Sequence, residues 1–282
     1  FTDYMAHQRW TEAEGWGEGE ILPYGPLSLE PAAAVFHYAQ EIFEGLKAFR
    51  HADGSVWTFR PEKNAARIQN SARRLALPEI STEDFLASLR GVVSADEPWV
   101  PEGGETSLYL RPFMFASENF LGVRAARTVD YYVIASPAGN YFPRGIQPLV
   151  VWVSPLAARA GRGGTGFAKC GGNYASSLQG KYEAAEKGAD EVMFLDSETH
   201  TNIDELSGMN IFVVYSDGRI VTPTLTGSIL PGVTRDSILT LAADRGLRPS
   251  EEPVNYEALT ADIAEGSVTE MFACGTAAVI NP

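Results

Sequence analysis

The chain has 282 residues, 45% of them hydrophobic and 21% charged, ordinary values for a globular protein with a real core. A chain of this length buries roughly three quarters of the surface it exposes when unfolded, which excludes disorder, a collagen-like repeat and a small disulfide-stapled scaffold. The formal net charge of −14 argues against a nucleic-acid or anionic-membrane partner, since either needs a basic surface.

In chain order, residues 45–50 and 55–60 read as strands joined at His51-Ala52-Asp53-Gly54, where Gly54 permits a positive φ. Pro61 suits the first turn of a helix, and residues 62–75 carry helical composition up to Pro78. Residues 81–93 read as a second helix with a Ser or Thr start, and 107–115 and 130–136 as strands. Residues 137–148 hold three prolines and two glycines and mark an interdomain linker. The expected organisation is a smaller domain over 1–137, a linker over 138–147 and a larger domain over 148–282. The second half opens with a strand at 149–153 and a Gly-rich stretch at 161–172. A helix at 174–187, stopped by Gly188, and a strand at 191–196 follow. Residues 210–215 and 219–222 form a hairpin across Ser216-Asp217-Gly218. Helices near 234–245 and 256–265 and a strand at 268–274 complete the pattern. Strands and helices mixed in both halves give an α/β (α+β) fold class.

No apolar run approaches the ~20 residues of a membrane-spanning helix. The two cysteines, Cys170 and Cys274, make neither a disulfide framework nor a metal-ligand spacing, which suits a reducing compartment and predicts no metal site. The chain begins at Phe1 rather than Met and stops at Pro282. Both ends read as trimmed, with room for a targeting peptide.

Several groups point to chemistry. Gly161-x-Gly163-x-x-Gly166 formally fits a dinucleotide fingerprint, but seven residues separate it from the preceding strand and its helix starts late, so a surface loop is the simpler reading. Lys169 is flanked by small or apolar residues without an acid neighbour in sequence. Two readings fit it: a snorkelling surface lysine, or an amine whose pKa is depressed by desolvation and which attacks a carbonyl. Pro231-Gly232-Val233-Thr234 opens a helix whose free N–H groups can hold an anion. Arg67 lies on a helix face as a phosphate candidate or a solvated arginine. Glu205 precedes an apolar strand and could pair with a ring nitrogen, and Tyr174 could meet a ring oxygen. Together these groups suit pyridoxal 5'-phosphate, which needs a lysine for its aldehyde, an anion site for its phosphate and a carboxylate for its pyridine nitrogen.

The sequence resembles the fold-type IV pyridoxal-phosphate enzymes, and within them the branched-chain amino acid aminotransferases. The resemblance rests on Glu205-Leu-Ser-Gly-Met-Asn210-Ile-Phe212 with Thr222 and Leu230-Pro-Gly232-Val-Thr-Arg235. Lys169-x-Gly-Gly-Asn-Tyr174, Phe43-Glu-Gly-Leu-Lys-Ala-Phe49, Phe59-Arg-Pro-x-x-Asn64-x-x-Arg67, Tyr109-x-Arg111-Pro112 and Gly275-Thr276-Ala277 extend it over nearly the whole chain. It implies that Lys169 forms the Schiff base and shuttles the proton, Glu205 pairs with the pyridine nitrogen and Tyr174 with the ring oxygen. Arg67, the N–H groups around Val233 and Thr234, and Thr276 would hold the phosphate. Thr276 and Ala277 would hold the substrate carboxylate through backbone N–H groups. Tyr38, Phe43, Tyr109 and Tyr141 match the family's aromatic wall, and Arg111 its γ-carboxylate contact. Tyr109, Arg111 and Phe113 alternate and so share one strand face.

The expected reaction is ping-pong transfer of the amino group of L-leucine, L-isoleucine or L-valine to 2-oxoglutarate. The expected partners are these small molecules and a second copy of the chain, reached through Tyr38, with neither nucleic acid nor membrane. The expected compartment is cytoplasmic if the chain is bacterial. D-amino acid aminotransferase and aminodeoxychorismate lyase share the cofactor core. A nicotinamide oxidoreductase and a non-catalytic binding protein are alternatives of other classes. The redox Cys-x-x-Cys of some eukaryotic relatives is replaced here by Ala277-Ala-Val-Ile-Asn281, and Cys170 reads as small apolar packing.

Overall fold

The structure, a computed structural model, describes residues 1–104, 106–139, 147–277 and 279–282. Tyr141, with the rest of residues 140–146 of the expected linker, lies outside the described residues. The chain divides into two compact units, residues 1–143 with Ala168–Gly171, and residues 144–167 with 172–282. Lys169 follows the expected linker in sequence, yet its contacts are with the first unit.

The first unit runs β1 (Tyr4–Thr11), β2 (Gly15–Trp16), β3 (Glu20–Pro23), α1 (Val35–Tyr38), β4 (Glu41–Phe43), β5 (Leu46–Arg50), β6 (Val56–Thr58), α2 (Pro61–Arg74), α3 (Thr82–Ala95), β7 (Ser107–Ala116) and β8 (Thr128–Ala138). Its strands form one antiparallel sheet, ordered β2-β1-β8-β7-β5-β6, with β3 on β1 and β4 on β7. The β7–β8 ladder runs from Ser107 opposite Ala138 to Ala116 opposite Val129 and is the spine of the sheet. Leu108, Leu110 and Met114 of β7 are fully buried on one face. The alternating Tyr109, Arg111 and Phe113 point to the other, where they are half-buried. Helix α2 starts with Pro61 at its first turn and buries Ala65, Ile68 and Ala72. Helix α3 begins at Ser81, whose hydroxyl accepts the Asp84 N–H at 2.9 Å, and buries Phe85, Leu89 and Val92 at helical spacing. Both helices cover the apolar face of the sheet, and Cys170 packs into the same core.

The second unit carries β9 (Val151–Val153), α4 (Gly171–Glu186, its first residue belonging to the first unit), β10 (Glu191–Leu195), β11 (Ile203–Leu206), β12 (Asn210–Tyr215), β13 (Arg219–Pro223), α5 (Val233–Asp244), β14 (Arg248–Glu252), α6 (Tyr256–Glu265), β15 (Val268–Gly275) and β16 (Val279–Asn281). They form a three-stranded sheet β11-β10-β9 and a five-stranded sheet β14-β13-β12-β15-β16. The β10–β9 and β13–β14 pairs are parallel. Among the described residues no helix is long and apolar enough to cross a membrane.

Two expectations shift. Helix α4 starts at Gly171 rather than near Tyr174, because the Glu41 carboxylate accepts the Gly171 N–H and satisfies one of the donors a helix start leaves open. Glu205 sits inside a short strand of its own, β11, rather than at the mouth of β12. Residues 162–167 are turns, well past the end of β9 and short of α4, so Gly161, Gly163 and Gly166 do not form a tight strand-to-helix junction. Gly166 is pressed against the Ser228 backbone, where a Cβ would overlap the carbonyl.

Candidate active site

In the first unit the site is built around Lys169. Its N–H donates to the Ser71 hydroxyl of α2 at 2.9 Å, and its carbonyl accepts the Phe43 N–H at 2.9 Å. Ala168 and Cys170 on either side are buried. The backbone is therefore clamped from a helix and a strand, while the side chain is half-buried with Nζ 4.8 Å from the centroid of the Phe43 ring.

The sequence showed no acid beside Lys169, but the fold supplies one. Glu44 is fully buried. It accepts Arg67 Nε at 2.7 Å and Arg67 Nη2 at 2.8 Å, a two-pronged pair, and Asn64 Nδ2 at 2.8 Å. Burial pushes its carboxyl up, but Arg67, Lys169 and Asn64 outweigh that and hold it below the ordinary carboxylate value. Arg67 is thus not a solvated helix arginine. One edge of its guanidinium, Nε and Nη2, is fixed by Glu44, which orients the whole group.

Arg111 closes the aromatic wall. Its Nη2 donates to the Tyr109 hydroxyl at 2.9 Å, and its guanidinium carbon lies 4.7 Å from the Phe43 ring centroid and 5.3 Å from that of Tyr109. Its Nε is buried without a hydrogen-bond partner among the described residues. Tyr38, at the end of α1, is 39% exposed and leans on Phe120 at 6.2 Å.

In the second unit Glu205 is 2% exposed. Its carboxylate accepts the Leu230 N–H at 2.9 Å, Arg159 Nη1 at 2.9 Å and Asn210 Nδ2 at 3.3 Å. Asn210 Nδ2 also donates to the Leu230 carbonyl at 3.0 Å. A Cβ on Gly232 would overlap Asn210 Oδ1, so the segment leading into α5 fits only with glycine there. Glu205 and the start of α5 are in this way fixed as one piece. Gly232 caps α5 in extended conformation with no side-chain cap, so Val233 and Thr234 open the helix with their N–H groups outside its ladder. Tyr174 lies in the first turns of α4 with its ring 5.9 Å from the Arg159 guanidinium. Thr276 and Ala277 form the turn between β15 and β16, half-buried and exposed respectively.

The structure therefore gathers Lys169, Arg67, Phe43, Tyr109 and Arg111 in the first unit, and Tyr174, Glu205, Val233 and Thr234 in the second. Glu44, Arg159 and Asn210 escaped the residue-by-residue reading. Glu44 and Asn210 lay inside quoted motifs without a role, and Arg159 had no signal, because its function is a pairing across 46 residues of sequence. The donor set matches what pyridoxal 5'-phosphate needs: a clamped amine on an aromatic face, an uncapped helix start, and a buried carboxylate paired with an arginine.

Comparison with known proteins agrees. The Amino-transferase class IV family matches residues 41–282. A Streptomyces coelicolor protein described as a probable branched-chain-amino-acid aminotransferase is 56% identical over all of this chain and 78% of its own length. The branched-chain-amino-acid aminotransferase of Mycolicibacterium smegmatis is 53% identical with the same coverage. Among solved structures, the Escherichia coli branched-chain amino acid aminotransferase superposes with a TM-score of 0.82 at 29% identity, covering 100% of this chain and 86% of that one. The T.th. branched-chain amino acid aminotransferase with pyridoxamine 5'-phosphate gives 0.81 at 27% identity, covering 98% and 84%. With its fold, its cofactor-type donor set and its identity to these relatives over the whole of this chain all pointing one way, the chain belongs to the class IV aminotransferases.

Proposed function

We propose that the chain is a pyridoxal-phosphate transaminase that moves the amino group of L-leucine, L-isoleucine or L-valine to 2-oxoglutarate, giving branched 2-oxo acids and L-glutamate. The observation that carries this reading is Lys169, whose backbone is fixed by Ser71 and Phe43 while its amine lies on an aromatic ring. When bound, the cofactor supplies an aldehyde for amines and a protonated pyridine that draws electron density from the substrate Cα. Lys169 Nζ holds and returns the Cα proton. Glu205, oriented by its ion pair with Arg159, would hold the proton at the ring nitrogen. Tyr174 donates to the ring oxygen. Arg67, oriented by Glu44, joins the Val233 and Thr234 N–H groups and Thr276 at the phosphate. Thr276 and Ala277 offer N–H groups to the substrate α-carboxylate.

Phe43 and Tyr109 exclude water from the aliphatic side chain, and Arg111 receives the γ-carboxylate of the dicarboxylate partner. Tyr38, exposed at the end of α1, suits a contribution to a second copy's site, and the working form is a homodimer, cytoplasmic if the chain is bacterial. The functional division is a domain over 1–137, a linker over 138–147 and a domain over 148–282. Lys169→Ala tests the reading: the purified variant should lose the absorbance of the lysine-bound cofactor and all transamination of L-leucine. Full activity in that variant would overturn it.

A further inference from the structure

One carboxylate beside this site has no part in the reaction described above. Glu41 opens β4, two residues before Phe43, and is half-buried. Its Oε1 accepts the peptide N–H of Gly171, two residues beyond Lys169. The contact is close enough that a Cβ on Gly171 would overlap the carboxylate oxygen. The β4–β7 register sets Glu41 opposite Phe115 and Phe43 opposite Phe113, so Glu41 lies on the sheet face that carries Phe43 and Arg111, and its carboxyl feels the charge of Arg111. Burial raises it above the ordinary carboxylate value, and the Gly171 N–H and the Arg111 guanidinium both pull it back down. Arg111 itself sits over the Phe43 and Tyr109 rings with its Nε unpartnered among the described residues.

That arrangement meets a difficulty specific to a site that takes both leucine and glutamate. A guanidinium among aromatic rings is well served when a substrate carboxylate faces it. When an aliphatic side chain occupies the same space, the cation is left in a poorly solvated setting without a counter-charge, which is costly. A fixed carboxylate nearby lowers that cost, and lowers by the same means the advantage of the dicarboxylate. We propose that Glu41 is a positioning and specificity residue: its carboxylate holds the Gly171 N–H and so places the Lys169 segment, and it balances Arg111 when an uncharged substrate side chain is bound. The proposal rests on the reading of Arg111 as the γ-carboxylate contact.

The test uses the holoenzyme and two inert acids without an amino group, glutarate and 4-methylpentanoate, with dissociation constants measured by calorimetry. Glu41→Gln keeps an oxygen for the Gly171 N–H and removes the charge. Glutarate should bind more tightly and 4-methylpentanoate more weakly, moving their ratio by about tenfold toward glutarate. Glu41→Ala removes the acceptor as well, and should add to that shift a lower kcat than Glu41→Gln for both L-leucine and L-glutamate. A ratio in Glu41→Gln within about twofold of the parent, well short of the tenfold expected, overturns the balancing role. A kcat in Glu41→Ala equal to that of Glu41→Gln overturns the positioning role. Should Glu41→Ala fail to fold, Glu41→Leu, which likewise offers no acceptor, takes its place in the kcat comparison with Glu41→Gln. Arg111→Gln separates the two readings. If it leaves glutarate binding unchanged, the assignment of Arg111 fails; if it weakens glutarate while Glu41→Gln moves nothing, only the role of Glu41 fails.

Discussion

Gly45 has no room for a methyl group. A Cβ there would overlap the Tyr109 hydroxyl and come within 3.0 Å of the ring carbon that bears it. Tyr109 in turn receives Arg111 Nη2 at 2.9 Å, so one added carbon would displace two members of the aromatic wall. Overpacking of this kind costs about 1–3 kcal/mol. Gly45→Ala is expected to lower the melting temperature by several degrees and to cut kcat/KM for L-glutamate by at least about tenfold, the loss typical of a misplaced binding group. Adding Tyr109→Phe, which removes the overlapped oxygen, should recover part of the stability but not the glutamate activity; recovery of neither would mean that the strain lies elsewhere. At this scale the sequence was legible wherever a residue's chemistry is rare in its setting. Lys169 among small residues and Gly232 before a helix both stood out. Glu44 did not, because nothing in Phe43-Glu44-Gly45 shows that the side chain will be fully buried against Arg67 and Asn64 from another element.

The helices were readable because proline, glycine and capping serines punctuate them: Pro61 and Ser81 open α2 and α3, and Gly188 and Gly266, both at positive φ, follow α4 and α6. Strands held by tertiary partners were not. β14 reads Arg-Pro-Ser-Glu-Glu, polar and proline-bearing, and exists as a parallel edge strand on β13. β1 hides its place for a different reason, since its inner residues include His7 and Gln8. His7 stitches three strands together, with Nδ1 at 2.9 Å from Glu20 of β3 and Nε2 at 2.8 Å from Asp130 of β8, and its ring stacked on Tyr132 at 4.5 Å. The hydrogen bond to Asp130 raises the imidazole against the opposing effect of burial, with Glu20 adding to the rise. On the Asp130 side burial pushes up, but His7 and its other partners outweigh it and hold the carboxyl below its ordinary 3.8. A raised folded-state pKa stabilises most below the unfolded value of 6.5 and loses that contribution as pH climbs through the folded value. A lowered carboxylate acts in reverse, contributing above 3.8 and failing as pH falls through its folded value. The clamp is therefore strongest in mildly acidic solution. Urea midpoints measured from mildly acidic to alkaline pH should show the gap between parent and His7→Gln shrinking as pH rises; a gap that stays constant would show that His7 carries no charge in the fold.

For the molecule as a whole, the α/β class and the order of motifs could be read along the chain, but not which residues belong to which compact unit. Lys169 follows the expected linker, yet the Ala168–Gly171 segment joins the first unit through backbone groups, the Lys169 N–H on Ser71 and its carbonyl on Phe43. Peptide N–H and C=O groups are the same in every residue, so such a pairing leaves no sequence signature. The two cysteines give each unit its own reporter. Cys170 is 2% exposed in the core of the first, and Cys274 is 1% exposed in the second, packed with Phe212 and Ile238. Burial pushes the Cys274 thiol up to about 12, so the reactive thiolate is scarce even in alkaline buffer. Neither thiol meets a reagent without an opening of the structure around it. The native protein should therefore release almost no colour from a disulfide reagent, whereas the denatured chain titrates two thiols. In Cys274→Ala the remaining Cys170 should become reactive in step with loss of structure in the first unit as urea is raised, and in Cys170→Ala the remaining Cys274 should follow the second. A thiol that reacts in the native protein as fast as in a short peptide would show that its unit is not closed over it.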